Sequence, residues 1–525
     1  MPRRPAPSLA LCAGPLSLQP GALVGVQQML MQPSVVQPVE RPTPRMPSAS
    51  PWRFTLTLAI GTAIFAASVY GLLSGKPAAL LGITVGYLGY EVLLTLGLCL
   101  LALMGIRRWR QEQAAVRPVS SEGLPTVAVL IAAHNERLCI VETLESLRTQ
   151  CGLHFEVVIA SDGSTDGMDA LLVERYGLRR VPGDLVAFAG QPGFPLRLLS
   201  LPKQGKGAAL NAALARTTAE VLVTLDADTT LGPDALKAMA QAFTDSQVEA
   251  ASGFLHVRNA VTAGWLTRYQ FTEYVKNFLW RIGLAHLGVN LQVSGAFGGL
   301  RTSTVRRLGG FSVESLVEDY EILFRLHQRL LEAGQTYRVV TVPTAAAFTD
   351  GPTGLPGFVH QRTRWFTGFL QTLWDYRGMI ASRRYGRLGW LMLPVKSVDA
   401  LLPFWGITSL AILVGSLASG RTELRSWTLI LLGAKWLLDG GLFAAMLLWH
   451  RRTFPALSGL LSFRWQLFCG CTESLGFNWF RQLAVLRAYG WFFRRFQTWE
   501  QERWAPAASA LSALNDSGPC AQTGS

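Results

Sequence analysis

Glu220-Val221-Leu222-Val223-Thr224-Leu225-Asp226-Ala227-Asp228-Thr229 runs from an apolar segment into two closely spaced carboxylates. Its first six residues form a short β-branched run, read as a strand. Two carboxylates, Asp226 and Asp228, follow one residue apart at the strand end. That arrangement is costly unless a cation shares them. Hard divalent cations take such oxygens and usually bind substrate phosphates as well. The alternative for this stretch alone is a solvated turn.

The same alternation runs on both sides. Residues 126–132, 155–160 and 196–200 also read as strands, and helical patterns lie near 139–150, 167–176, 207–217 and 233–243. Strands alternating with helices predict a parallel α/β sheet. Such sheets bind ligands beyond the carboxyl ends of their strands. Polar clusters stand at those ends: Ala133-His134-Asn135-Glu136 after the first strand, and Ser161-Asp162-Gly163-Ser164-Thr165-Asp166-Gly167 after the second. Alone, the second is also an ordinary Asp/Gly turn with a helix cap. Lys203-Gln204-Gly205-Lys206-Gly207 puts glycines and lysines at a helix start, a natural diphosphate cradle. It lacks the GxxxxGK[ST] spacing of a P-loop. Val317-Glu318-Asp319-Tyr320-Glu321 opens an amphipathic helix, where acidic residues also simply suit the helix dipole. Gln361-Arg362-Thr363-Arg364-Trp365 combines a phosphate-gripping fork at Arg364 with the flat face of Trp365. It also reads as a basic interfacial helix.

Composition places this α/β region between apolar flanks. The 525 residues are 50% hydrophobic and 16% charged, with mean hydropathy +0.26 and net charge +14. Soluble domains carry about 25% charged residues. Residues 54–74 carry no charge, and residues 78–106 carry only Glu91, so each is long enough to span a bilayer core of about 30 Å. Glu91 is read as facing a neighbouring helix or an interface. Arg41, Arg45 and Arg53 precede the first stretch, and Arg107, Arg108 and Arg110 follow the second. The positive-inside rule then puts both outer flanks, and the α/β region, in the cytoplasm. Further spans are expected near 401–417 and 426–449, flanked by Arg383, Arg384, Arg387, Arg451 and Arg452. Residues 457–493 read as one tilted span, a re-entrant pair or an interfacial helix. The expected organisation is a disordered tail (1–51), two transmembrane helices (52–110), an α/β domain with interfacial helices (111–380), transmembrane and interfacial helices (381–497), and a disordered tail (498–525). The basic residues flank spans instead of forming a stripe, so nucleic acid is not an expected partner. The seven cysteines form no CxxC pair and the seven histidines no HxxxH pair, so a metal would have to use carboxylates.

The order and spacing of these motifs resemble the membrane-embedded, processive family 2 glycosyltransferases, the group of poly-N-acetylglucosamine, hyaluronan and cellulose synthases. The pattern D…DxD…ED…QxxRW is matched by Asp162, Asp226/Asp228, Glu318-Asp319 and Gln361/Arg364/Trp365, over about residues 126–378. Ser294-Gly295-Ala296-Phe297-Gly298 followed by Arg301 resembles the loop beside the acceptor site. Where the family often has Asp-Asp-Gly-Ser, this chain has Ser161-Asp162-Gly163-Ser164. Where cellulose synthases carry Phe-Phe-Cys-Gly, it has Gln292-Val293-Ser294-Gly295, which argues against that subgroup.

The resemblance implies a GT-A fold, Rossmann-like with a mostly parallel sheet, inserted between N- and C-terminal transmembrane helices of an inner (plasma) membrane protein. It implies an inverting, processive transfer from UDP-GlcNAc or UDP-glucose into an extracellular polysaccharide, with Mg²⁺ or Mn²⁺ as cofactor. A single addition to a lipid acceptor is the alternative. The implied roles are general base for Asp319, with Glu318 beside it, and metal ligation for Asp228 and Asp226. Asn135, Glu136, Asp162, Lys206, Asp226, Gln361 and Arg364 would bind the nucleotide sugar. Trp365, Ser294 and Gly295 would bind the acceptor, the growing polysaccharide. The bilayer and export or accessory membrane subunits are the remaining implied partners.

Overall fold

The computed structural model describes residues 77–115, 123–181, 187–189, 194–418, 422–453, 461–473 and 476–498, with Ala59, Ala63 and Tyr70 as isolated positions. The expected tails, and the expected span at 54–74 apart from those three positions, lie outside the described residues. In chain order the elements are α1 (Pro77–Ala115), β1 (Val127–Ala133), α2 (Ile140–Arg148), β2 (Phe155–Asp162), α3 (Met168–Tyr176), β3 (Arg179–Arg180), β4 (Ala187–Ala189), β5 (Leu196–Leu201), α4 (Lys206–Leu214), β6 (Val221–Leu225), β7 (Thr230–Leu231), α5 (Ala235–Ala242) and β8 (Val248–Val257). There follow α6 (Trp265–His286), β9 (Phe297–Arg301), α7 (Thr302–Arg307), α8 (Glu318–Glu332), β10 (Arg338–Thr349), α9 (Leu355–Asp375), α10 (Leu393–Ala418), α11 (Thr422–Thr453), α12 (Phe463–Thr472) and α13 (Phe477–Thr498).

One sheet organises the α/β part, in the order β3-β4-β5-β2-β1-β6-β9-β8-β10-β7. The strands β5, β2, β1 and β6 are parallel, as expected. The sheet as a whole is mixed, which corrects the expectation of a mostly parallel one. Strand β9 runs antiparallel between β6 and β8, and short antiparallel strands close both edges. The physical reason is connectivity. The 22-residue helix α6 and the loop after it carry the chain to the far end of the sheet, so β9 returns against its neighbours.

Side chains on β1 alternate between two cores, because successive residues of a strand face opposite sides. Val127, Val129 and Ile131 pack with Leu144, Met168 and Leu236 from α2, α3 and α5. Ala128 and Leu130 pack with Leu210, Val305 and Ile322 from α4, α7 and α8. Covered on both faces, these strands need no polar alternation, hence their continuous apolar sequences. Truncating a buried residue such as Ile131 to alanine costs about 2–5 kcal/mol.

The helices outside the sheet pack closely through small residues. A side chain at Gly105 of α1 would meet Ile282 of α6, and one at Gly283 would meet Leu101 and Ala102. Helix α13 lies along α9: Thr363 donates to the carbonyl of Ala484 (3.3 Å) and Thr367 to that of Ala488 (3.5 Å). Among the described residues, one segment, Val92–Glu112, is long and apolar enough to cross a membrane. The expected spans near 401–417 and 426–449 fall on helices α10 and α11, and the expected segment 457–493 divides into α12 and α13.

Candidate active site

Register aligns the carboxyl ends. Ala133 pairs with Ser161, and Asp162 with Leu201, so the loops after β1, β2 and β5 leave the sheet side by side. Asp162 is buried there, and its carboxylate holds the start of α4. Its Oδ1 accepts from the backbone N–H groups of Gln204 (2.6 Å) and Gly205 (3.1 Å), and its Oδ2 from that of Gly205 (3.0 Å). Gly163 next to it has φ +67°, and a side chain there would strike Lys203, so glycine is required at this turn. Asn135 staples two loops: its Oδ1 accepts from the Thr165 N–H (2.8 Å), and its own N–H donates to Ser164 Oγ (3.2 Å). Glu136 accepts the Cys139 thiol at 3.0 Å. His134 links the Asp162 carbonyl (2.8 Å) to Lys203 Nζ (2.9 Å).

Lys206, the first residue of α4, joins the two acidic motifs. Its Nζ lies 2.8 Å from Asp226 Oδ1 and 3.0 Å from Glu318 Oε1. Burial opposes its charge, yet Asp226, Glu318 and Asp319 outweigh burial and hold the ammonium well above the ordinary lysine range. Asp319 sits in the first turn of α8, where its Oδ2 accepts from the Gly295 N–H (2.7 Å) and its Oδ1 from the Tyr320 N–H (2.8 Å). Burial and the Glu318 charge push its carboxyl up to about 6, against the opposing pull of Lys206 and the Gly295 N–H. A carboxylate titrating there is matched to proton abstraction near neutral pH.

Among the described residues, no lysine pairs with Asp228. Its Oδ1 accepts from the hydroxyls of Thr229 (3.2 Å) and Thr349 (3.4 Å). Burial and the Asp226 charge raise its carboxyl to about 6, and the Glu136 charge adds to the rise. Like charges this close, with one oxygen of Asp226 already on Lys206, are what a shared dication relieves. The residues therefore fit Mg²⁺ or Mn²⁺. Among the described residues, no group of three His, Cys, Asp or Glu side chains is arranged to hold a metal. Two carboxylates plus substrate phosphates is the usual complement for Mg²⁺.

The acceptor motifs divide. Gly295 is brought directly to Asp319, and Ser294 precedes it. Arg301 is not: it caps the far end of β9, on the carbonyls of Phe243, Asp245 and Val248. On α9, Trp365 lines a cavity of about 580 Å³ between the helices, together with Glu273, Trp280, Arg362, Asn478 and Gln482. Gln361 keeps its Oε1 buried without a hydrogen-bond partner, and Arg364 is exposed. The residue that sequence reasoning missed is Arg362, whose guanidinium lies 4.5 Å from the Trp365 ring centroid. Its three-residue spacing from Trp365 on a helix was the available signal. The α9 glycine Gly368 lets Val317, just before Glu318, pack against the same helix.

The chain is similar to known glycosyltransferases. The glycosyl transferase family 2 model matches residues 128–304, and the glycosyl transferase family group 2 model matches residues 221–470. These matches and the named relatives support a glycosyltransferase, and residues 128–304 are similar to a family 2 glycosyltransferase domain. The mixed, curled α/β sheet fits the GT-A fold of such domains. A β-monoglucosyldiacylglycerol synthase from Nostoc sp. is 29% identical over 300 residues, 55% of this chain and 58% of that protein. The poly-β-1,6-N-acetyl-D-glucosamine synthase of Staphylococcus aureus is 26% identical over 271 residues, 51% of this chain and 60% of that protein. This chain thus spans under two thirds of the length of these relatives. A mannosyltransferase from Pyrobaculum calidifontis, solved with GDP-Man and Mn²⁺, aligns with TM-score 0.47 at 20% identity, over 76% of this chain and 99% of its own. The family 2 match takes in Asp162, Lys206, Asp226, Asp228, Ser294 and Gly295. The group match adds Glu318, Asp319, Gln361, Arg364 and Trp365.

Proposed function

We propose that the protein is an inverting, processive β-glycosyltransferase that extends a polysaccharide from a UDP-hexose, UDP-GlcNAc or UDP-glucose. The observation that carries this is Lys206, which ties the DxD carboxylate Asp226 to the Glu318-Asp319 pair and so joins a donor edge to a base. Asp319 takes the proton of an acceptor hydroxyl as that oxygen attacks C1 of the donor sugar. The new C1–O bond forms on the face opposite UDP, the C1–O bond to phosphate breaks, and UDP leaves with the electron pair. A positioned base contributes about 10²–10⁴-fold. Lys206 neutralises charge growing on the diphosphate, with Gln361 and Arg364 gripping it. Asp162 contacts the uracil, flanked by Asn135 and Glu136. Asp226 and Asp228 would hold Mg²⁺ or Mn²⁺, which would supply Lewis-acid stabilisation of the leaving group. Trp365 stacks under the terminal sugar, beside the loop Ser294-Gly295.

In this reading the protein is multi-pass in the inner (plasma) membrane, with its catalytic domain cytoplasmic and the product passing between its helices. The arginines flanking its apolar stretches and the segment Val92–Glu112 support that placement. Export or accessory membrane subunits are proposed partners. A second reading, one sugar added to a lipid acceptor, is favoured by the likeness to a protein named β-monoglucosyldiacylglycerol synthase.

The test is a UDP-sugar panel on the purified full chain, with and without Mg²⁺ or Mn²⁺, reading UDP release and then product size and linkage. Cation-dependent UDP release with long polymer is expected. One sugar on a lipid product replaces the reading with the second, and no UDP release from any donor overturns both.

A further inference from the structure

Beside Trp365, five charged side chains from separate parts of the chain form one alternating chain of ion pairs. Arg362 on α9 meets Glu273 on α6 at 2.7 Å, and Glu273 also meets Arg481 on α13 at 3.4 Å. Arg481 meets Glu473 at 3.2 Å, and Glu473 meets Lys276 on α6 at 2.6 Å. Glu273 and Arg362 are nearly out of solvent, with side chains 6% and 11% exposed. Charges are buried this deeply only at a desolvation cost, so a network of them points to a demand for geometry. The geometry it delivers is at Trp365. Arg362 lies 4.5 Å from that ring centroid and 5.1 Å from that of Phe358, while its Nε is buried with no hydrogen-bond partner. A guanidinium against an indole is held by the ring quadrupole, but its rotation is set by whatever grips its other edge. Here that grip is Glu273.

We infer that Glu273 is a positioning residue for the acceptor platform: through Arg362 it fixes the setting of Trp365, and through Arg481 it ties that setting to α13. This rests on the proposed stacking of the acceptor sugar on Trp365. Glu273 pairs with Arg362 and Arg481 and not with Lys206, Asp226 or Asp319 among the described residues, so its effect falls on acceptor recognition.

The test uses the full chain in membranes. The donor is whichever of UDP-GlcNAc and UDP-glucose releases UDP, and the matching β-linked tetrasaccharide is the probe acceptor. Glu273→Gln raises the acceptor KM about tenfold and leaves the donor KM unchanged, and Glu273→Asp recovers part of the loss. Trp365→Ala raises the acceptor KM at least as much, and the double variant is no worse than Trp365→Ala alone, because one residue acts through the other. Effects that multiply in the double variant, or donor and acceptor KM rising together, overturn the inference. A Trp365→Ala protein with normal acceptor KM, or no UDP release from either donor, overturns the reading beneath it and the inference with it. If Glu273→Gln fails to accumulate, Arg362→Gln, which leaves Glu273 paired with Arg481, enters the same cycle under the same criteria.

Discussion

The backbone N–H of Gly295 donates to Asp319 Oδ2 at 2.7 Å, linking the loop before β9 to the first turn of α8. This bond aims one carboxylate oxygen, and Asp319→Asn tests what it is aimed for. The amide is nearly isosteric but has no basic oxygen pair, and its NH2 gives up one of the two backbone N–H bonds that Asp319 accepts, at a stability cost of about 1–3 kcal/mol; Asp162, Asp226 and Asp228 are left as they are. The variant keeps UDP affinity within about twofold and loses about 10²–10⁴-fold in UDP release with acceptor. Calorimetry with UDP and a turnover assay check the two halves. Near-normal turnover would remove Asp319 as base.

The pH profile follows from the same group. A base works only when ionised, so raising pH through its titration restores activity. With Asp319 raised to about 6, the rate falls as pH drops below about 6 and levels off above it. Lys206 pulls that carboxyl down, so Lys206→Met moves the acid limb to higher pH as well as weakening donor binding. A limb near pH 4 in the native protein, or one that Lys206→Met leaves in place, contradicts the assignment. A kcat/KM profile from about pH 3.5 to 8.5 at saturating cation reads it.

Gly207 is a steric test of the donor edge. A methyl group there would run into the backbone carbonyl of Ser312, which cannot swing aside as a flexible side chain would. Gly207→Ala therefore displaces the start of α4, moving Lys206 away from Asp226 and Glu318. The expected result is a stability loss of about 1–3 kcal/mol, as for other overpacked sites, and a donor KM raised by a larger factor than the acceptor KM. Thermal unfolding and initial rates check it. Equal changes in both KM values would show that the clash is absorbed elsewhere.

Much of the scaffold was legible because continuous apolar runs leave little choice. Residues 126–132, 155–160, 196–200 and 220–225 became β1, β2, β5 and β6. Polar residues placed just past such runs then marked the donor edge, since a strand end is where a buried segment meets solvent. The antiparallel insertion of β9 was not legible. Its FGGLR sequence carries too few branched side chains to announce a strand, and two of its glycines are explained only by close neighbours, Phe243 beside Gly299 and Val293 beside Gly298. Pairings across packed helices were hidden too. Glu273 finds Arg362 across 89 positions, and that depends on how α6 and α9 are rotated against each other. At the donor edge, Asp162 was visible as a carboxylate, but its hold on the Gln204 and Gly205 amides depends on the turn closing over it.

The β6–β9 pairing has a consequence for how the reacting groups are spaced. Leu225 pairs with Phe297, and one step beyond, the Asp226 N–H donates to the Ala296 carbonyl at 3.4 Å. The DxD carboxylates and the Gly295 amide that holds Asp319 therefore grow from adjoining rungs of one ladder, although about seventy residues separate them in the chain. The span between donor and base is thus ruled by backbone, in units of a strand step, and not by the reach of flexible side chains. Asp319 itself stands on α8, so a movement of that helix would have to break the Gly295 bond before it lengthened the span.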